Sequence, residues 1–460
     1  MRSVVGTDDD LGMSRSRPWI VDQPMLLPPS VGDFVKPKHL ALFVRELVQR
    51  ELDLSSIERA YSKDPRGNPP YHPGMMTALL LYAYCRGVYA SRQIAIACEE
   101  RVDFMALTGM QEPDFRTISD FRKVHRDALA GLFVQVLRLC REAGLAKLGH
   151  VALDGTKVKA NASKHKAMSY ARMKETEPKL AGQVEEWMKA SGAADKADDK
   201  ELGADARGDE MPDWVAEKQA RLKKLREAKE ALESAANEEA EELRAERVAE
   251  GKPVDGPRAP KALQGEVDPK AQRNFTDPES KILRKGSEYV QGYNAQAAVD
   301  AAHQVIVAAD VVAQQNDSDQ LVALLDQIEE NTGAQPNEVS ADTGYCSEEN
   351  LATLEDRGIR GYIATGRQER GMSSPTNREK DRRGPRACAM RARLRRGGWN
   401  SRYRLRKVTV EPVFGQIKEG RGFRRFSLRG RAKVRCEWRM VCTAHNLVKL
   451  AAWAARGRSR

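Results

Sequence analysis

Residues 150–163 read HVALDGTKVKANAS. The apolar run Val151-Ala152-Leu153 closes on an acid, Asp154, and small and polar residues follow it. This predicts a short strand ending at Asp154. The same pattern returns in NEVSADTGY (337–345), which predicts a second strand ending at Asp342. Each acid precedes a glycine-containing turn, and strand ends on one edge of an open sheet are where sites assemble in α/β folds. Between and beyond these two strands, YVQGYNAQAAVD (289–300) and HQVIVAADVV (303–312) predict an antiparallel hairpin turning near Ala301. DSDQLVALLDQIEE (317–330) and SEENLATLEDRG (347–358) predict helices, the first capped by Asp317 or Ser318, and IRGYIATG (359–366) predicts another strand. Strands alternating with helices in this order give an α/β fold with a mixed sheet and flanking helices.

Upstream, residues 31–148 read as an all-α N-terminal domain. HPGMMTALLLYAYC (72–85) is apolar nearly throughout and too short to cross a bilayer, so it predicts a buried helix. The following segment breaks into short helices, with Ser91 and Thr117 as N-cap candidates. Helices of this kind suit a helix-turn-helix DNA reader and equally a bundle for dimerisation or docking. Residues 1–30 read as a disordered leader. Residues 175–274 interrupt the sheet with a charged helical insertion and linker. In it Leu222, Leu225, Leu232, Ala236 and Leu243 fall near heptad spacing, as in an arm able to self-associate.

The net charge of +11 and pI of about 9.2 favour a polyanionic partner, most often nucleic acid, though a basic protein without one stays open. Acids crowd residues 174–250, whereas arginine dominates 367–435. Seven scattered cysteines, with no CxxC pair, argue for a reducing compartment and against a zinc module or a disulfide framework. With no signal-like apolar core and no membrane-length run, the expected location is the cytoplasm, on the nucleoid when DNA is bound.

The segment TVEPVFGQIKEGRGFRRFSLRG (409–430) adds a third acid, Glu411, among cations. It predicts a helix capped by Thr409, with Glu411 in the first turn and Pro412 where no intrahelical hydrogen bond is lost. Converging carboxylates repel unless a divalent cation neutralises them, and hard oxygen donors suit Mg2+, with Mn2+ as substitute. Two such ions support in-line phosphoryl displacement. Surrounding cations would hold the phosphodiester backbone, and Lys418, on the helical face of Glu411, is placed to meet a phosphate. Arg421, Arg424, Arg425 and Arg429 are further DNA-binding candidates, while a solvated basic surface is the plain alternative.

Together, VALDGTKVKANAS, QGYNAQAAVD, ADTGYCSEENL, EPVFGQIK and GFRRFSLRG, with PYHPGMMTALLLYAYCRGVYASRQI upstream, resemble the DDE transposases of bacterial insertion sequences, in the IS4/IS5-like superfamily and its IS1182 group. The resemblance implies an RNase H-like catalytic core in residues 149–174 and 275–455, with Asp154, Asp342 and Glu411 as catalytic metal ligands for two divalent ions. It also implies cleavage at terminal inverted repeats, strand transfer to target duplex DNA, and action as a homodimer or larger assembly. The superfamily signature places Tyr seven residues before the glutamate, Arg four before and Lys seven after. Lys418 matches, Lys407 stands for the Arg, and Tyr403 lies one place off. A transposase-derived DNA-binding protein without catalysis, acting as a repressor or architectural factor, is the alternative function.

Overall fold

The computed structural model describes residues 30–59, 70–202, 213–249, 251, 253–255, 261–285, 288–314, 317–366 and 384–457. The expected leader up to residue 29, residues 367–383 of the arginine-rich stretch and the last three residues lie outside them. The N-terminal region is helical: α1 (Leu40–Arg50), α2 (Ser55–Glu58), α3 (Pro73–Cys85), α4 (Ser91–Glu100), α5 (Val102–Thr108), α6 (Phe115–Val124) and α7 (Arg126–Glu142). Helix α3 is buried on all sides from Met76 to Cys85, as its unbroken apolar run requires. The caps differ from expectation. The Asp114 carboxylate, not Thr117, accepts the first free amides of α6, and Ser91 is the first residue of α4 without capping it. Asp114 wins because a carboxylate one residue before the helix reaches the amides of both Arg116 and Thr117.

The remaining elements are β1 (Val151–Lys159), β2 (Ala167–Ser169), α8 (Tyr170–Leu202), α9 (Asp213–Ala249), β3 (Gln272–Asn274), β4 (Lys281–Lys285), β5 (Glu288–Asp300), β6 (Ile306–Val312), α10 (Gln320–Thr332), β7 (Glu338–Ala341), α11 (Glu348–Asp356), β8 (Arg360–Ile363), α12 (Pro385–Gly397), α13 (Leu405–Gly415) and α14 (Arg431–Gly457). The main sheet is six-stranded, in the order β4-β5-β1-β7-β8, with β6 also pairing β5. Strands β1, β7 and β8 are parallel, and β5 runs antiparallel to β1, β4 and β6. The hairpin of β5 and β6 turns at residues 301–303, and Ser347 caps α11, both as the sequence indicates. Helix α10 begins after Asp319, whose side chain makes no cap, because the Asp317 carboxylate is bound elsewhere.

Strand β1 does not end at Asp154. It pairs with β5 along its whole length, from Val151 opposite Asp300 to Lys159 opposite Gly292, so Asp154 lies mid-strand. On its other edge the partner β7 is short: Val151 faces Val339 and Ala152 faces Ser340. Long antiparallel pairing on one side thus carries β1 past the point where its parallel neighbour stops.

Helices α8 and α9 run antiparallel as an arm between β1 and β4, rooted on the two-stranded β2–β3 ladder. Leu222, Leu225 and Ala228 of α9 pack on Met173 and Leu180 of α8, so part of the heptad-like stripe is covered within the chain. Glu177 ties the pair through Arg226 and Lys229.

The long helix α14 joins the helical region to the sheet, packing on α3, α7 and β6. Its Trp438 donates Nε1–H to the Gln296 carbonyl at 2.9 Å. His445, expected to be a satisfied core residue, is fully buried: Nε2 donates to the Gln304 carbonyl at 2.8 Å, and Nδ1 accepts from Arg421 at 3.0 Å. Burial, reinforced by the Arg421 charge, pulls its pKa down to about 3. A folded-state value below the unfolded one stabilises the protein above about pH 6.5, and that stability is lost as pH falls toward 3. The denaturant midpoint should therefore drop across this window. In His445→Gln, whose amide can still donate to Gln304, the drop should be shallower by up to about 1.4 kcal/mol per pH unit. An unchanged pH slope would show that His445 titrates normally.

Candidate active site

The parallel register brings two of the acids together. The last paired position is Ala152 opposite Ser340, and Asp154 and Asp342 each follow it by two residues, near enough for the Asp342 charge to act on Asp154. Asp342 follows the last residue of β7 and caps a short turn, its Oδ1 accepting from the Gly344 amide at 2.9 Å. Asp154 Oδ1 accepts from the Gly155 amide, also at 2.9 Å.

The third acid arrives on α13 by a route the sequence did not indicate. The helix starts at Leu405, so Thr409 is buried inside it rather than capping it, and Glu411 is its seventh residue. The helix dipole at the N-terminus is thus not what holds Glu411. Pro412, internal to the helix, leaves the Val408 carbonyl without its usual donor, and Gln304 Nε2 supplies one at 2.9 Å. Gln304 occupies a left-handed conformation at the β5–β6 turn (φ 61°), which fastens α13 to the sheet.

Arg406 closes the cluster. Its Nη2 donates to Asp154 Oδ2 at 2.8 Å and its Nη1 to Glu411 Oε1 at 3.0 Å. The Arg406 side chain is 12% exposed and that of Glu411 48%, so the guanidinium links an interior carboxylate to a solvent-facing one. Burial pushes the Asp154 pKa up to about 6; Arg406 opposes this and the Asp342 charge reinforces it. The Asp342 pKa is also raised, by burial against the pull of Arg406, with the neighbouring Asp317 adding to the rise.

Asp317 was read only as a possible helix cap. Its Oδ1 instead accepts from Asn294 Nδ2 and Gln296 Nε2, both at 2.6 Å, and Tyr345 in turn donates to Gln296 Oε1. These groups crowd Gly155, where an added Cβ would lie 2.5 Å from Gln296 Nε2 and 2.8 Å from Asp317 Oδ1. Glycine after Asp154 is therefore a packing requirement of the site. Among the described residues, no three His, Cys, Asp or Glu side chains stand close enough to clasp an ion, since Arg406 lies between Asp154 and Glu411.

The flanking cations separate into different roles. After Gly415 the helix widens into a π-helical turn, Gln416–Gly420. There Lys418 Nζ donates to the Thr156 hydroxyl and, at 3.0 Å, to the Lys157 carbonyl, two or three residues along β1 from Asp154. Arg424, Arg425 and Arg429 are exposed, with Arg424 paired to Glu419 and Arg429 Nε donating to the Asn161 carbonyl. Arg421, one of the expected DNA contacts, is half-buried and turns inward to His445, and burial lowers its pKa. Gly422 takes a left-handed φ of 71°, so turn geometry accounts for it.

Lys407 is exposed, and the basic side chain among the acids is Arg406. Buried Tyr403 is coupled to the same group. Burial raises its pKa against the opposing pull of Arg406, and Asp342, Asp154 and Glu411 raise it further. The spacing of Tyr403 and Arg406 is that of the signature's Tyr and Arg, moved together one residue away from Glu411. Fixing the arginine four residues before the glutamate is what hid it.

Two family models match the chain: a transposase DDE domain over residues 256–447 and a transposase domain (DUF772) over residues 29–124. Together they cover more than half of it. The chain belongs to the DDE transposases of bacterial insertion sequences. The pairing of these two domains is typical of the IS1182 group, and a DDE domain implies an RNase H-like fold, with which the strand order agrees. Neither a curated protein nor a solved structure matches the chain. In this transposase Asp342, Glu411 and Lys418 fall within the DDE match, whereas Asp154 lies between the two matched stretches.

Removing the guanidinium should expose its role. In Arg406→Ala, Asp154 would remain buried beside Asp342 without its cation, so the melting temperature should fall at about pH 8, by the equivalent of about 3 kcal/mol. At about pH 5 the loss should be much smaller, because Asp154, its pKa raised further, is protonated there. Equal losses at both values would mean that Arg406 does not neutralise Asp154.

Proposed function

We propose that this transposase binds the terminal inverted repeats of its own element and catalyses metal-dependent strand cleavage and strand transfer through Asp154, Asp342 and Glu411. The observation that supports the reading is that Arg406 bonds both Asp154 and Glu411 while the Asp342 charge acts on Asp154, three acids separated by 188 and then 69 residues in the chain. The donor set fits a hard divalent ion, Mg2+ or Mn2+: it is all carboxylate oxygen, from a strand, from the turn that follows the neighbouring strand, and from a helix. Asp154, Asp342 and Glu411 would hold the metal, and Arg406 would yield Asp154 and Glu411 to it. Bound there, a pair of such ions supplies activation of a water or 3′-hydroxyl and neutralisation of charge on the scissile phosphate.

The chain's own residues provide the remainder. Gly155, Asn294, Gln296 and Asp317 fix the floor beside Asp154, so the carboxylate keeps its orientation. Lys418, anchored on Thr156 and Lys157, presents an ammonium next to β1 where a phosphate would pass. Exposed Arg424, Arg425 and Arg429 add positioning contacts that carry no sequence information.

The test is a cleavage assay on a labelled duplex carrying the DNA that flanks the coding sequence, with Mg2+, Mn2+ or chelator. Asp154→Ala, Asp342→Ala and Glu411→Ala should each lower the cleavage rate by more than about 100-fold while duplex binding persists. Wild-type cleavage by any one variant removes that residue from the site. Repeat-specific binding by the wild type without cleavage in either metal would favour the non-catalytic DNA-binding derivative.

A further inference from the structure

Beyond the carboxylates, β1 runs into a groove of about 860 Å³ whose walls are Lys159, Lys164, Lys166, Tyr289, Arg425 and Arg429, with Glu288 as the one acid among the described residues that line it. His165, Lys166 and Thr276 also line a second cavity of about 650 Å³ beneath the helical arm, together with Arg172, Arg221, Lys224 and Glu217. Both walls are held firmly. The Lys159 amide donates to the Arg424 carbonyl at 3.3 Å, the Phe426 amide to the Lys159 carbonyl at 2.8 Å, and Arg429 anchors on Asn161. The arm is rooted at the same place by the β2–β3 ladder and by Phe275 and Met168 packing on its apolar cluster.

Some cations on other surfaces are paired with acids, as in Arg360 and Arg402 with Glu338, or Arg386 with Glu355. On the arm itself Glu177 neutralises Arg226 and Lys229, one turn from Arg221 and Lys224. Yet among the described residues no carboxylate forms an ion pair with Lys159, Lys164, Lys166, Arg172, Arg221, Lys224, Arg425 or Arg429. Eight like charges around two adjoining cavities, against Glu288 and Glu217 in their lining, favour an extended polyanion between them.

We propose that this trough is a track for the phosphodiester backbone of duplex DNA adjoining the scissile bond, with the arm as its second wall. The assignment rests on the transposase reading above and extends it to a surface away from the carboxylates. Lys159 is five residues along β1 from Asp154, about 17 Å at strand rise. The contacts therefore fall about five nucleotides from the cut. Tyr289, exposed at the lip, adds a hydroxyl that can donate to phosphate.

Counterion release gives the test. Fluorescence anisotropy of full-length protein on two labelled duplexes, one carrying the flanking DNA of the element and one unrelated, yields the slope of log affinity against log salt. Replacing Lys164, Lys166, Arg425 and Arg429 by Ala should make that slope shallower by about 3.5. Lys164→Gln with Lys166→Gln, both in an exposed turn, should change it by about 2 and guards against a folding defect in the fourfold variant. Loss on the element duplex assigns the track to the transposon end; loss on the unrelated duplex alone assigns it to target DNA. A wild type that binds duplex DNA, with variants of unchanged slope, overturns the track and leaves the transposase reading standing. A wild type that binds neither duplex overturns both.

Discussion

The site depends on the hydrogen-bonded guanidinium of Arg406 between Asp154 and Glu411. Three carboxylates gathered at the edge of a sheet are an electrostatic liability in any protein, and the more so when one of them is 9% exposed. Here the liability is met in two ways. The Asp154 and Asp342 pKa values rise, and a cation carried on the helix of Glu411 is set against the strand of Asp154.

That arrangement works only because α13 is fixed relative to the sheet. An internal proline would ordinarily weaken an eleven-residue helix, yet the carbonyl it strands is taken up by Gln304 at the β5–β6 turn. The backbone carbonyl of Gln304 also receives His445, and His445 in turn receives Arg421, so helix, hairpin and α14 share one polar network. This explains why a conspicuous arginine of the basic segment faces inward. Its neighbours Arg425 and Arg429 remain on the surface, and the segment carrying them extends the edge of β1. One stretch of sequence therefore supplies both an internal fastening and an exposed basic wall.

The helical arm changes how the surface reads. Its two helices cover each other's apolar residues, and its cations are ion-paired on one part while, among the described residues, no carboxylate pairs with Arg172, Arg221 or Lys224 on the part that overlooks the groove. Such a division of charge follows from where the arm is rooted, not from its composition, which alternates acids and bases along its length.

By itself, the sequence determined the helical N-terminal region, the alternation of strands and helices and the hairpin, because periodicity, turn residues and apolar runs are local properties. Asp154 and Asp342 stood out for the same reason, each closing an apolar run. Tertiary structure decided the rest. Strand β1 continues past Asp154 because β5 pairs with it to Lys159, a partner more than 130 residues away. Glu411 looked like a first-turn residue because Thr409 and Pro412 imitate a helix start, whereas burial of Thr409 and the donor from Gln304 let the helix begin at Leu405. Arg406, Asp317 and the inward turn of Arg421 are products of contacts between distant segments. No local pattern encodes which of 77 basic side chains will meet a carboxylate, since that follows from where packing places the backbone.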